Sequence, residues 1–297
     1  MDAKDKPLTG AQTESSANEF RVIVLTHGGA GEVINSLIRC GVSVAGVFVE
    51  TDIVRHRARV EKVKRSIRYD GYLATINKLL KQIFGRKDKN RYVMDAEENR
   101  SELETFAANH RIPFYLVDNY HSVESIALMS SVNADLGVIY GTNIIKESVF
   151  NLPKRGSINL HQGLAPYYRG GPPVFWEIYN GETEVGLTVH YVAAKVDCGD
   201  IILQESVPLI YDYSFGLDYE KFISDFSEQL KKRGAQMIAE AVKAIASGTV
   251  DAKPQDPNIG KRYRLPLKAE KDELRRRLRK RHRQPANSWK PEQPEIG

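Results

Sequence analysis

Cysteine is scarce in this sequence of 297 residues, which contains only Cys40 and Cys198. Two cysteines so far apart do not suggest a disulfide framework or a cysteine-based zinc site, so we expect a reducing, cytoplasmic setting and no metal. Long apolar runs are also missing, because no stretch approaches the ~20 residues of a membrane-spanning helix. The polar start of the chain has no apolar signal-peptide core either. We therefore expect no membrane partner.

The overall composition is that of an ordinary globular protein. Hydrophobic residues make up 41% of the chain and charged residues 27%, which is typical of soluble domains. The length allows one large domain or two small ones. The formal charge of +5 is only mildly basic, and the basic residues are concentrated near the C-terminal end. Their position matters more for the choice of partner than the net charge does.

Strands and helices alternate along the first two thirds of the chain. The apolar run Arg21–Thr26, a glycine-rich turn, a helical stripe and the apolar run Val42–Val49 predict a βαβ unit. Further strands are predicted at 113–117, 135–140 and 157–161. We expect an α/β fold with a Rossmann-like, twisted, mainly parallel sheet and helices on both faces, followed by C-terminal helices and a basic tail. A hairpin of two alternating strands within 186–208 is expected at the sheet edge.

Composition shifts indicate the domain boundaries. We expect a disordered leader at 1–19, a catalytic domain at 20–210 with a helical insertion at about 52–100, a helical extension at 211–250, and a basic, largely disordered tail at 251–297. The insertion is rich in cations, which either form a solvated face or contact an anionic substrate. The very basic segment Lys268–Arg283 predicts a helix that either binds RNA phosphates or serves as a solubilising tail.

Polar side chains follow an apolar face at the end of one predicted strand. Ile158 and Leu160 point to one side of this strand, and Asn159 and His161 point to the other. A Gly- and Pro-rich loop comes next, and open α/β sheets place their chemistry at such strand ends. Asp197 lies in a second polar turn. An amide, an imidazole and a carboxylate together suit acyl-type transfer by direct attack of the acceptor, without a metal.

Four motifs carry a resemblance to a known family. They are Asn-Leu-His-x-x-Leu-x-Pro at 159–166, Tyr-Arg-Gly-Gly at 168–171, Thr-Val-His-Tyr-Val at 188–192 and Val-Asp-Cys-Gly-Asp-Ile-Ile-Leu-Gln at 196–204. This pattern resembles the folate-dependent formyltransferases, which include methionyl-tRNA, glycinamide ribonucleotide and amino-sugar N-formyltransferases. The resemblance extends from about residue 21 to residue 208.

The resemblance implies a catalytic set and a folate pocket. Asn159, His161 and Asp197 match the family's catalytic residues, which transfer a formyl group from 10-formyltetrahydrofolate to a primary amine. The implied folate-binding residues lie in two loops, and they are Thr142, Asn143, Ile144, Ile145, Gly163, Leu164, Ala165 and Pro166. The second loop departs from the family pattern, because Gly163 and Ala165 replace a serine and a leucine. The expected acceptor is an amino-sugar nucleotide or other small amine, and methionyl-tRNA, bound through the basic C-terminal segment, is the alternative.

Several other interpretations stay open at this point. The glycine turn at 27–31 alone suggests a nicotinamide-dependent oxidoreductase, although it does not match the spaced three-glycine fingerprint. A non-catalytic folate-binding module is the other alternative. His190 either packs on its strand or supports the site, and Cys198 is expected to be a small filler residue. Glu177 and Arg169 either line the acceptor site or form loop salt bridges. The sequence leaves the oligomeric state undetermined.

Overall fold

The computed structural model describes residues 19–51, 67–69, 71, 76, 91–210, 218–256 and 258–282. Most of the predicted leader and insertion lies outside these ranges. The strands are β1 (Arg21–Thr26), β2 (Ser43–Glu50), β3 (Phe114–Val117), β4 (Leu136–Tyr140), β5 (Ser157–His161), β6 (Tyr168–Gly170), β7 (Glu184–Tyr191), β8 (Ile201–Pro208) and β9 (Lys261–Tyr263). The helices are α1 (Gly31–Arg39), α2 (Arg91–Asn109), α3 (Val123–Ser131), α4 (Glu147–Phe150), α5 (Phe175–Asn180), α6 (Tyr219–Ser247) and α7 (Lys268–His282).

Seven strands form one sheet in the order β3-β2-β1-β4-β5-β7-β8. The five strands from β3 to β5 in this order are parallel, whereas β7 runs antiparallel to β5 and β8 antiparallel to β7. The predicted mainly parallel sheet with a hairpin at its edge is therefore confirmed. The parallel strands place their carboxyl ends at one edge, where β5 ends in His161.

Both faces of the sheet are covered. In β1, Val22 and Val24 belong to a core shared with α1 and α6, whereas Ile23 and Leu25 belong to a second core that includes residues of α3 and α4. Burying a Val, Leu or Ile side chain stabilises a protein by about 1.5–3 kcal/mol. Because β1 is buried on both sides, its apolar residues are continuous rather than alternating. The predicted helices on both faces are confirmed.

Helix α6 fixes the orientation of β5. Asp218 caps its first turn by accepting a hydrogen bond from the Lys221 backbone N–H at 3.0 Å. Its buried face includes Gly234, against which the side chain of Leu160 packs. Since Ile158 and Leu160 are held in this core, strand geometry turns Asn159 and His161 to the opposite face of β5.

The chain beyond α6 folds back onto the loop that follows β5. Strand β9 pairs in parallel with β6 to form a small second sheet, and Leu274 and Leu278 of α7 are buried. The segment 251–297 was expected to be largely disordered, but its described part contains this strand and a helix. Two leucines at i and i+4 give α7 an apolar stripe that its many charges obscure in the sequence. Among the helices within the described ranges, none is long and apolar enough to cross a membrane.

Candidate active site

The polar face of β5 continues onto β7. Antiparallel pairing places Asn159 opposite His190 and His161 opposite Thr188. Directly opposed residues point to the same side of a sheet, so four polar side chains share one face. His190 is 2% exposed and Thr188 is fully buried, whereas Asn159 and His161 are half-buried. The two candidate catalytic residues on β5 are therefore only partly exposed, at the rim of a buried polar layer.

Asp197 lies between two histidines of this layer. Its Oδ2 is 3.4 Å from Nδ1 of His161, and its Oδ1 is 3.5 Å from Nε2 of His190. The backbone N–H of Gly170 donates a hydrogen bond of 2.8 Å to Oδ2. The backbone of Asp197 has φ +53°, in the left-handed region that Asp and Asn tolerate better than other non-glycine residues. The structure thus brings His161 and Asp197 together, beside the strand position of Asn159.

Burial and charge act in opposite directions at this pair. Burial alone would raise the pKa of the Asp197 carboxyl. The imidazole of His190, the charge of His161 and the Gly170 N–H together lower the pKa by more than burial raises it, so the pKa lies well below its usual value. For His161, burial lowers the pKa below 6.5, although Asp197 and the Tyr168 carbonyl act against this change. At neutral pH the site therefore holds a charged carboxylate beside a mostly neutral imidazole.

The hydrogen bonds of His161 define its tautomer. Nε2 lies 2.5 Å from the Tyr168 carbonyl oxygen, an acceptor, so Nε2 must carry the hydrogen. Nδ1 is then the ring nitrogen available for a second proton, and it faces Asp197. Gly163 is required beside this contact, because a methyl group at that position would lie 2.5 Å from Nε2 and 2.6 Å from the Tyr168 oxygen. A side chain at position 163 would therefore require His161 or Tyr168 to shift.

The loop that follows His161 is held by β7 and β8. The Thr188 hydroxyl donates to the Gly163 carbonyl at 2.8 Å and accepts from the Ala165 N–H at 3.2 Å. The Gln204 side-chain amide donates to the Ala165 carbonyl at 2.7 Å and to the Thr188 oxygen at 3.0 Å. The peptide bond between Ala165 and Pro166 is cis. The predicted folate loop is therefore fixed by side chains that the sequence did not single out.

The other predicted folate loop follows β4, the strand beside β5. Ile144 is 69% exposed, whereas Ile145 is 8% exposed and packs in the second core. The Thr142 hydroxyl donates to the Asn143 carbonyl at 2.8 Å. The side chain of Ile145 thus has a structural role, and Thr142, Asn143 and Ile144 are the members of this set left to contact a ligand through their side chains.

The remaining candidates have different surroundings. His190 does more than pack on its strand, because Nδ1 lies 2.7 Å from the Tyr191 carbonyl oxygen and Nε2 faces Asp197. The buried Arg169 guanidinium donates to Cys198 Sγ at 2.8 Å and to the Ile259 carbonyl at 3.2 Å. Cys198 is therefore a hydrogen-bond partner as well as a small residue.

Across the described parts of the chain, no three His, Cys, Asp or Glu side chains are grouped to hold a metal ion; the absence of a metal stays a prediction.

The glycine turn after β1 carries its own polar cluster. His27 Nε2 lies 3.0 Å from Glu50 Oε2, and Glu50 Oε1 accepts the Tyr120 N–H at 3.0 Å. Glu50 is the acidic residue at the end of the second strand, where a dinucleotide-binding site would need a carboxylate for the ribose. Both of its oxygens have intramolecular partners, so this cluster does not support the oxidoreductase interpretation.

Comparison with known proteins identifies the family. Residues 74–241, more than half of the chain, match the family model described as formyl transferase. Methionyl-tRNA formyltransferase of Azobacteroides pseudotrichonymphae is 32% identical over 162 residues, which cover 54% of this chain and 48% of the relative. The Fusobacterium nucleatum enzyme of that name is 34% identical over 163 residues, covering 54% and 50%. The chain spans about half the length of the curated relatives it matches.

Solved structures agree on the fold. Glycinamide ribonucleotide transformylase 1 from Symbiobacterium toebii is similar with a TM-score of 0.52 at 18% identity, covering 84% of this chain and all of the other. A 4-N formyltransferase from Francisella tularensis has a TM-score of 0.51 at 17% identity, covering 83% and 76%. At such low identity these two likenesses concern the fold alone. The family match, which includes Asn159, His161 and Asp197, leads to the conclusion that the chain belongs to the formyl transferase family.

Proposed function

We propose that this protein transfers a formyl group from 10-formyltetrahydrofolate to the primary amine of a small molecule such as an amino-sugar nucleotide. The observation that carries the proposal is the position of Asp197 between His161 and His190, on the face of the sheet that Asn159 shares. These groups can accept a proton and stabilise developing negative charge, which are the two needs of amine attack on a carbonyl.

The described residues fit the proposed formyl donor. Ile144 is an exposed aliphatic side chain in the loop after β4, and the Gly163–Pro166 loop, which follows the neighbouring β5, has a fixed shape. An apolar contact and a rigid loop at adjacent strand ends suit a flat heterocycle. We propose that Thr142, Asn143, Ile144 and this loop hold it. When bound, 10-formyltetrahydrofolate supplies the formyl group.

Each catalytic candidate has a proposed role. Nδ1 of His161 receives the proton that the attacking amine loses, because burial keeps the imidazole largely neutral and Nε2 is already bound to Tyr168. His161 then returns this proton to the folate nitrogen that leaves as the C–N bond to the formyl group breaks. Asp197 stays charged, since its pKa is depressed, and it stabilises the imidazolium that forms. The side-chain amide of Asn159 donates to the carbonyl oxygen that gains negative charge; a single donor of this kind is worth about 3 kcal/mol in other enzymes.

The surroundings of α7 support a small acceptor. Arg275, Arg276 and Arg277 lie 2.6–3.1 Å from carboxylates of Asp272, Glu273 or Glu220. Arg277 also lies over the Tyr179 ring at 4.6 Å. A nucleic-acid-binding helix needs cations that can pair with phosphates. Because these three arginines already pair within the chain, fewer cations of α7 are left for phosphates, and we favour an acceptor that is bound at the sheet edge alone.

Methionyl-tRNA is the second candidate, because the curated relatives above carry that name. The basic C-terminal segment would then contact RNA as well as the protein.

The non-catalytic alternative predicts folate binding without transfer. The two unpaired cysteines agree with a cytoplasmic location, which stays a prediction.

A formyl-transfer assay tests the proposal. Purified protein and 10-formyltetrahydrofolate are mixed with separate pools of amino-sugar nucleotides and methionyl-tRNA, and tetrahydrofolate release is followed. We expect turnover with the sugar pool, lost in Asn159→Ala, His161→Ala and Asp197→Asn. Asp225→Asn, on the exposed side of α6, is the matched control and should retain activity. Turnover with methionyl-tRNA alone would mean that tRNA, and not a small amine, is the acceptor. A protein that binds no folate would refute the proposal.

A further inference from the structure

Strand β6 supplies a backbone contact to each member of the catalytic pair. The Tyr168 carbonyl accepts from His161 Nε2, and the Gly170 N–H donates to Asp197 Oδ2 at 2.8 Å. These two groups are two residues apart on one short strand. Any shift of β6 would therefore change the orientation of the imidazole and of the carboxylate at the same time.

Strand β6 is not part of the main sheet. Its only strand neighbour among the described residues is β9, with Tyr168 opposite Lys261 and Gly170 opposite Tyr263. The Lys261 N–H donates to the Tyr167 carbonyl at 3.1 Å. The rings of Tyr168 and Tyr263 stack at 5.1 Å. The position of β6 thus depends on a strand that lies about 90 residues later in the chain.

The same late segment also holds the turn that carries Asp197. Lys253 and Ile201 exchange two backbone hydrogen bonds of 2.8 Å. The side-chain amide of Gln255 donates to the Gly199 carbonyl at 2.6 Å. Ile201 and Gly199 lie just after Asp197, so the segment contacts the turn on its β8 side.

Arg169 connects these two contacts. The residue is 6% exposed, and its guanidinium reaches Cys198 Sγ at 2.8 Å and the Ile259 carbonyl at 3.2 Å. One guanidinium therefore joins β6, the Asp197 turn and the late segment. The Trp176 indole N–H, which donates to the Arg264 carbonyl at 2.8 Å, fixes the far end of the segment.

We propose that residues 253–256 and 258–264, which lie beyond the family match ending at residue 241, position His161 and Asp197 for formyl transfer. Gln255 and Arg169 are the positioning residues that connect this segment with the Asp197 turn. The kinetic test of this inference rests on the proposed function, whereas the hydrogen-exchange test does not. The segment acts through the shape of the site rather than by touching substrate, so its loss should lower kcat and leave KM nearly unchanged.

The test uses the full chain with Gln255→Met and Arg169→Lys. Methionine keeps most of the glutamine volume but removes the donor to Gly199, and lysine keeps the charge of Arg169 but cannot reach two acceptors at once. The conservative Gln255→Asn retains an amide donor, and Gln236→Met on the exposed side of α6 is the matched control. Displacements near 1 Å cost up to about 100-fold in rate. We expect kcat to fall about 10- to 100-fold in the two variants, with KM for both substrates within about threefold.

Hydrogen exchange provides a readout that does not need turnover. The amides of Gly170, Cys198 and Ile201, which donate to Asp197, Lys195 and Lys253, should exchange faster in Gln255→Met and Arg169→Lys than in the wild-type protein, and Gln255→Asn should restore part of the protection. Wild-type kcat together with unchanged exchange in both variants would overturn the inference. If the wild-type protein transfers no formyl group, the proposed function fails, and the exchange data still decide whether the segment holds the turn. If Arg169→Lys does not fold, Gln255→Met decides alone.

Discussion

Replacing Glu177 by glutamine should make the protein more stable above neutral pH. Glu177 lies in α5 with 3% of its surface exposed. Burial raises the pKa of its carboxyl from 4.5 to about 7; the backbone N–H of Glu177 acts against this rise, and the charge of Glu182 adds to it. The folded state therefore prefers the protonated acid, and ionising it destabilises the fold.

The magnitude follows from linkage. The pKa is higher in the folded than in the unfolded chain, so the protonated carboxyl contributes its full stability below pH 4.5 and this contribution is lost as the pH rises through about 7. A rise from 4.5 to about 7 corresponds to about 3 kcal/mol. Between pH 5 and pH 8 the wild-type protein should lose about 2–3 kcal/mol that the uncharged glutamine variant keeps.

Urea unfolding at pH 5, 6, 7 and 8 measures this difference. The free energy of unfolding of Glu177→Gln minus that of the wild-type protein should increase by about 2–3 kcal/mol over this range. Glu104→Gln, on the exposed surface of α2, should follow the wild-type pH dependence. A difference between Glu177→Gln and wild type that is constant with pH would refute the reasoning, because it would mean that Glu177 ionises equally well in both states.

Three further predictions concern the site. The rate of formyl transfer should fall with decreasing pH through an apparent pKa below 6.5, because protonation of His161 removes the proton acceptor. An NMR titration of the His161 imidazole, which needs no turnover, should have its midpoint at still lower pH in Asp197→Asn, since the charge that raises the His161 pKa is gone. Gly163→Ala should lower the free energy of unfolding by about 1–3 kcal/mol and remove most activity, because the added methyl group meets His161 and Tyr168. Calorimetry checks this, with Gly31→Ala, whose methyl group would enter open space, as the control. Thr188→Val should raise KM for the folate substrate and lower stability by about 1–3 kcal/mol, and steady-state kinetics with an unchanged folate KM would contradict it.

Local periodicity explains what the sequence predicted well. The alternation of Ile158 and Leu160 with Asn159 and His161 is a property of five consecutive residues, and the structure keeps it. The buried runs of β1 and β2 likewise indicate strands covered on both faces. Information of this kind is contained within each segment. It does not depend on which distant segment becomes the neighbour.

The contacts between distant segments were harder to predict. Strands β6 and β9 have three residues each, too few to show a period, and they pair across about 90 residues. Nothing local in Gln255 indicates that it reaches Gly199. A signal for His190 did exist, because placing Leu187, Val189 and Tyr191 on one face of β7 turns Thr188 and His190 to the other. Pairing β7 with β5 then brings His190 beside Asn159.

The left-handed backbone of Asp197 limits which acid can serve at this position. The neighbouring Gly199 has no room for a side chain, because an added methyl group would collide with the Tyr191 carbonyl, so the turn cannot relax there. Among non-glycine residues, a short Asp or Asn adopts positive φ at the lowest cost. A glutamate would add both backbone strain and an extra methylene between the two histidines. Evolution of this turn towards a longer carboxylate would therefore require rebuilding its backbone before its chemistry could change.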